Sequence, residues 1–193
     1  MCGIAGIIQR APPHDGLIGR MLNRLAHRGP DGQGVWRGTG AGWHVVLGHR
    51  RLAILDIDGG AQPMSNRDGS AWMTYNGEAY NHRELRSALE RCGNVFRTRS
   101  DTESVIHHID HHRAQRSMGL EAIDGMFALA FWDSRSASLV LARDRAGIKP
   151  LYYAPLPDGG LAFASELDAL LEHPLIPRDL DPDALHSYFF SDY

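Results

Sequence analysis

"MCGIAGII" (residues 1–8) opens the chain, and its reading decides the fold. Small and apolar residues alternate over "CGIAGIIQ" (2–9), which predicts a buried strand. One of only two cysteines, Cys2, stands at the head of that strand. Chain ends are usually loose and wet, whereas cysteine is usually buried. Taken alone, this opening leaves two readings. Cys2 is a small residue starting a strand, or it is a nucleophile that becomes the N-terminus once Met1 is removed. In the second reading the α-amino group, with a pKa of about 8, is a base a few bonds from its own thiol. Gly3 favours methionine removal and leaves room for a substrate.

Working outward, Asp15 is placed to cap a helix with Leu17, Ile18, Met21, Leu22 and Leu25 on one face. "HRGPDGQG" (27–34) breaks it. Strand-like runs follow in "GVWRG", "WHVVLGHR" and "RLAILDI", then a turn-rich loop, "GGAQPMSNRDGS", and the strand "AWMTYN". Asn81 with Glu84 forms a capping-box pattern ahead of an apolar stripe of Leu85, Ala88, Leu89 and Cys92. A second helix is expected over Thr102–Gln115, with Val105, Ile106 and Ile109 inward. "MFALAFWD", "LVLARDR", "LYYAPL" and "LAFAS" read as strands. Ser165 with Asp168 opens a short helix carrying Leu167, Leu170 and Leu171. The Pro-rich tail enters a last helix. Helices in pairs between mostly antiparallel strands give an α+β class, because regular βαβ alternation is missing.

At 193 residues the chain is long enough for one compact domain. A formal net charge of −3 makes no case for nucleic acid or an anionic membrane as partner. No apolar run is long enough to span a bilayer, and no secretory signal is visible. Two cysteines make no disulfide scaffold, so a reduced, cytoplasmic protein is expected.

"YNGEAYNH" (75–82) puts Asn76 and Gly77 at a strand end. A side-chain amide and an adjacent backbone N–H suit an oxyanion, although Asn-Gly alone is also an ordinary turn. "HHIDHHR" sets His107 with His111, and His108 with His112, at a helical spacing that suits a metal pair. No third ligand follows, so these histidines read as structural and no metal is assigned. Cys92 reads as a core thiol. "ARDRAGIKP" (142–150) offers cations that read as holding a turn and an interface.

Nine stretches carry a resemblance: "MCGIAGI", "HRGPDG", "GHRRLAILD", "GAQPM", "YNGEAYNH", "RSDTE", "GMFALAFWD", "LARDRAGIKPLYY" and "FASELDALL". In this order they resemble the glutaminase domain of the asparagine synthetase family, class II glutamine amidotransferases of the N-terminal nucleophile hydrolase group. The resemblance implies a four-layer αββα sandwich. It implies that Cys2 is the nucleophile, that Asn76 and the Gly77 N–H form the oxyanion hole, and that Arg51 binds the glutamine α-carboxylate. Asp101 and Glu78 would then hold the α-ammonium. Free glutamine is zwitterionic, and an arginine fork matches a carboxylate. Arg50 competes with Arg51, but strand alternation sends the two to opposite faces. Residues 1–175 would be the glutaminase domain and 176–193 the start of a linker toward a C-terminal synthetase domain. Glutamine and that domain are the implied partners, and a homodimer stays open. No cofactor is implied here, since ATP and magnesium would serve only the synthetase domain. The alternatives are a non-catalytic regulatory or scaffolding module of the same fold, and an amidase of another substrate class.

Overall fold

The computed structural model describes all residues except 54–55, 57–58, 114, 116 and 192–193. Among the described residues, nine strands and five α-helices follow one another as β1 (Gly3–Gln9), α1 (Leu17–Arg24), β2 (Gly32–Gly40), β3 (Trp43–Arg51), β4 (Met64–Ser65), β5 (Ala71–Ala79), α2 (His82–Arg91), α3 (Asp101–Arg113), β6 (Gly125–Asp133), β7 (Ser138–Arg143), β8 (Tyr152–Pro155), β9 (Leu161–Ala164), α4 (Leu167–Leu170) and α5 (Pro182–Ser191), with a short 3₁₀ turn at Leu120–Ala122. They build a five-stranded sheet ordered β2-β3-β1-β9-β8 and a four-stranded sheet ordered β4-β5-β6-β7. Every strand pairing within them is antiparallel.

Alternation along the strands sorts side chains into layers. In β1, Ile4 and Ile8 meet Ala128, Ala130 and Trp132 of the other sheet. Ala5 and Ile7 face the opposite way, onto Leu17, Ile18, Met21 and Leu22 of α1 and Ala169 and Leu170 of α4. In the second sheet, Met73, Tyr75, Leu129 and Phe131 pack on Leu85 of α2 and Val105, Ile106 and Ile109 of α3. The layers therefore run helices, sheet, sheet, helices, which is the expected αββα sandwich. Cys2, at the mouth of β1, shares the face of Ile4 and points between the sheets.

Several local expectations are corrected. Asp15 does not cap α1; Gly16 does, in a left-handed turn and without a side-chain bond. Asn81 is the N-cap of α2 but makes no capping bond. Its side chain instead donates to the Ala122 carbonyl and accepts from the Asp124 N–H. Cys92 is exposed: it lies one residue past α2, where Gly93 at φ 86° turns the chain away from the core. Ala88 is exposed as well, so the buried stripe of α2 is Leu85 and Leu89. Ser165 caps nothing; its hydroxyl accepts the Ile4 N–H at 2.9 Å. Helix α3 starts one residue earlier than expected, at Asp101. Its expected end at Gln115 crosses residue 114, and the core of "RLAILDI" falls at 54–55 and 57; both lie outside the described residues.

Candidate active site

Cys2, Arg51, Asn76, Gly77, Glu78 and Asp101 line one cavity of about 280 Å³ between the ends of the two sheets. The size suits a small molecule rather than a polymer. Cys2 is half-buried. Its sulfur receives the Leu52 N–H at 3.4 Å and faces the Leu52 carbonyl at 3.7 Å. Behind it, Arg28 Nε donates to the Cys2 carbonyl at 3.0 Å and Arg28 Nη1 to Glu166 at 2.8 Å. Burial works upward on the Glu166 carboxyl, but bonds from Arg28 and His27 outweigh it and keep the group below its ordinary range. Glu166 is thus a standing anion that fixes Arg28, and Arg28 fixes the backbone of the nucleophile candidate.

The two arginines of β3 separate as strand geometry requires. Arg50 turns to α1, donating to the Leu22 carbonyl at 2.9 Å and to Asn23 Oδ1 at 3.0 Å. Arg51 faces the cavity and donates to the Asp56 carbonyl at 2.6 Å. The "HRGPD" loop holds this segment in place. The Asp31 N–H donates to the Arg51 carbonyl at 3.0 Å, and Asp31 Oδ2 accepts the Ala53 N–H at 2.8 Å. Gly29 lies flat against the Arg50–Arg51 peptide, where any Cβ would overlap the backbone.

On the facing sheet, β5 delivers Asn76 and Gly77. Asn76 is 1% exposed, and its Nδ2 is buried with no hydrogen-bond partner. Buried amides left unpaired are costly, and this one belongs to a residue that lines the cavity. Gly77 sits beneath the Tyr75 ring and against the Met126 carbonyl and Phe127 Cβ; a Cβ added there would come within 2.7 Å of Tyr75 Cζ. No other residue fits without moving the strand.

Asp101 starts α3, its Oδ2 accepting the Ala79 N–H at 3.0 Å and its Oδ1 the Thr102 N–H at 2.8 Å. Burial raises its pKa; the two N–H bonds and His82 oppose the shift, and Glu78 adds to it. An anion held this way favours a cationic partner. One arginine and two carboxylates, then, line the same cavity.

Some lining residues carried no role in the sequence reading. Gln62 of "GAQPM" behaves as one more strand residue: its Oε1 accepts the Tyr75 N–H at 2.7 Å, and its Nε2 donates to the Tyr75 carbonyl at 3.1 Å and to Thr102 Oγ1 at 3.2 Å. Tyr75 Oη is buried and unpartnered, and burial together with Asp101 and Glu78 pushes its pKa well above the phenol range, so it stays a neutral donor. Lys149 reads as a cation holding a turn and an interface; its side chain is buried and lines the cavity. The turn around it is held by Asp144, which accepts the N–H groups of Phe127, Ile148 and Lys149. Their signal lay in motif context rather than residue type, because long-range pairing decides where each side chain lands.

The histidines of α3 lie apart from the cavity. His108 Nε2 bonds the Gly119 carbonyl at 2.9 Å, and His107 Nε2 sits 3.8 Å from buried Glu103. Among the described residues no group of three or more His, Cys, Asp or Glu side chains is placed to hold a metal. No helix among them is long and apolar enough to cross a membrane.

Comparison with known proteins identifies the family. The asparagine synthetase [glutamine-hydrolyzing] 1 of Bacillus subtilis is 38% identical over 195 residues, covering 97% of this chain and 29% of the relative. Asparagine synthetase [glutamine-hydrolyzing] 2 of Arabidopsis thaliana is 40% identical over 173 residues, covering 88% of this chain and 28% of its own length. The chain thus spans less than a third of these relatives. Among solved structures, the glutamine phosphoribosylpyrophosphate amidotransferase of B. subtilis superposes with a TM-score of 0.68 over 87% of this chain and 42% of that one, at 24% identity. That likeness places the αββα sandwich in the N-terminal nucleophile hydrolase fold. The glutamine amidotransferase domain family matches residues 1–193. With a family match over its whole length and curated relatives of 38–40% identity, the chain belongs to the glutamine amidotransferase domains, of the kind found in asparagine synthetases.

Proposed function

We propose that this chain hydrolyses the side-chain amide of free glutamine through a γ-glutamyl thioester on Cys2. With Met1 removed, the α-amine takes the thiol proton and Sγ attacks the amide carbon. The negative charge that forms on the amide oxygen is met by Asn76 Nδ2 and the Gly77 N–H. Collapse of that intermediate expels ammonia, which leaves with the proton held by the amine. Water then attacks the thioester and releases glutamate and the thiol. Arg51 receives the α-carboxylate, while Asp101 and Glu78 receive the α-ammonium.

The observation that carries this reading is Asn76 Nδ2, a buried, unpartnered donor in the same cavity as Cys2. Preorganised donors of this kind lose nothing by reorganising when charge develops. Residues 1–175 act as the glutaminase unit, and 176–193 lead toward a synthetase domain that would use the ammonia with ATP and magnesium to amidate a carboxylate. On this reading the protein is cytoplasmic and uses no cofactor at the Cys2 site. Incubation of the purified chain with glutamine should yield glutamate and ammonia in equal amounts, with Cys2→Ala inactive. Equal rates on glutamine and a simple acyl amide would favour an amidase of another class. No turnover by a chain shown by mass to begin at Cys2 would favour a non-catalytic module.

A further inference from the structure

We propose that Asp56 is a positioning residue for the amino-acid end of the substrate: its carbonyl aims the Arg51 guanidinium, and its carboxylate fastens that segment to Arg99. This rests on the assignment of Arg51 to the glutamine α-carboxylate. Asp56 is not glycine, yet it adopts a left-handed φ of 46°. Such backbone is sparingly populated and persists where surroundings enforce it. Here the enforcement is visible. The Asp56 carbonyl accepts from Arg51 Nη2 at 2.6 Å and from the Gly60 N–H at 2.8 Å. Its Oδ1 accepts the Gly59 N–H at 3.1 Å, and its Oδ2 accepts the Arg99 N–H at 2.7 Å. The bond from Arg99 leads the effects that hold this carboxyl below its ordinary range, so it remains an anion.

Arg99 is a firm anchor. Just before it, the Arg97 and Thr98 N–H groups and the Thr98 hydroxyl donate to Glu103 at 2.8, 2.7 and 2.7 Å. Glu103 is fully buried in α3. Two residues after Arg99, the same chain delivers Asp101 to the cavity. Asp56 therefore ties the arginine that faces a carboxylate to the segment that carries the aspartate facing an ammonium. It sets the spacing between the two charges that flank the substrate α-carbon. Fixing that spacing before the substrate arrives lowers the ordering cost of binding, so loosening it weakens the complex.

The test uses Asp56→Gly, which keeps the left-handed backbone but removes the carboxylate, and Asp56→Asn, which keeps an acceptor. Calorimetry gives the glutamine Kd, kinetics give KM and kcat, and peptide mass spectrometry gives the rate of Cys2 alkylation by iodoacetamide, which needs no carboxylate recognition. Asp56→Gly should raise the glutamine Kd and KM about tenfold with kcat nearly unchanged, a uniform-binding effect. It should narrow the preference for glutamine over glutamine α-carboxamide and leave Cys2 alkylation unaltered, and Asp56→Asn should recover part of the loss. An unchanged Kd, or an unchanged preference, overturns the assignment. So does a parallel fall in binding and in Cys2 alkylation, which marks a general loss of structure. A native chain that binds glutamine without hydrolysing it overturns the reaction but leaves the Kd comparison decisive for Asp56. A native chain that binds no free amino acid overturns both.

Discussion

Arg28 holds the carbonyl of Cys2 at 3.0 Å, with Glu166 on the far side of the same guanidinium. One step along β1, Ser165 accepts the Ile4 N–H at 2.9 Å and donates its own N–H to the Ile4 carbonyl at 2.8 Å. The first residues of a chain normally fray; here they are pinned by a planar fork and a strand end. Arg28→Lys puts a single point charge where two directed bonds are needed. It should lower kcat on the order of 10-fold to 100-fold through misplacement of the sulfur, with a smaller change in KM. Steady-state kinetics on this variant check it, and unchanged kcat would show that Cys2 does not depend on the fork.

Asn76→Ala should cost about 10²–10³ in kcat, because the lost donor acts chiefly as charge develops. Glutamine binding, measured by calorimetry, should change little. Since Nδ2 has no hydrogen-bond partner, its removal strands no other group, and Asn76→Ala should fold at least as stably as the native chain. A fall in affinity as large as the fall in kcat would make Asn76 a ground-state contact instead.

Much of this was legible in the sequence. The alternation in "MCGIAGII" predicts the buried strand that Cys2 precedes, and strand alternation likewise separates Arg51 from Arg50. What escaped the sequence lies in contacts between distant segments. Glycine at position 16, rather than Asp15, turned the chain into α1. Asn81 was drawn to Ala122 and Asp124, forty residues on, and so was lost to its own helix. Lys149 reads as a cation of a turn and an interface, and the turn held by Asp144 also brings it to the cavity. Local propensity cannot anticipate a partner supplied by another strand or loop.

The two thiols should part company with different reagents. Cys92 is exposed and Cys2 half-buried beside the Leu52 N–H. A simple alkylating agent should therefore modify both. A glutamine-shaped electrophile should modify Cys2 alone, because its α-carboxylate and α-ammonium are recognised only in the cavity. Intact mass should show a chain lacking Met1 and carrying one label. Label at Cys92 would remove Cys2 from the reaction. Cys92→Ser should retain full activity, as this exposed thiol one residue beyond α2 is not among the residues that line the cavity.

The pH dependence of glutamine recognition follows from Asp101. Burial lifts its pKa above the ordinary carboxylate value, against the pull of the Ala79 and Thr102 N–H groups and His82 and with the help of Glu78. Only the ionised form attracts an α-ammonium. As pH falls, a raised pKa means that this anion is protonated earlier than an ordinary aspartate, whose pKa is about 3.9. Bound glutamine supplies a positive charge and pulls the pKa back down, so the effect belongs to the free enzyme. It should appear as an acidic limb in kcat/KM and as a rising KM, while kcat follows the α-amine instead. Asp101→Asn keeps an acceptor for the Ala79 N–H but carries no charge. It should raise KM at neutral pH by at least tenfold and abolish the acidic rise in KM. The check is the KM of both proteins from pH 8 down to the acid limit of folding, with circular dichroism at each point. A native KM that stays flat across that range would release Asp101 from substrate recognition and leave it a backbone anchor for Ala79 and Thr102.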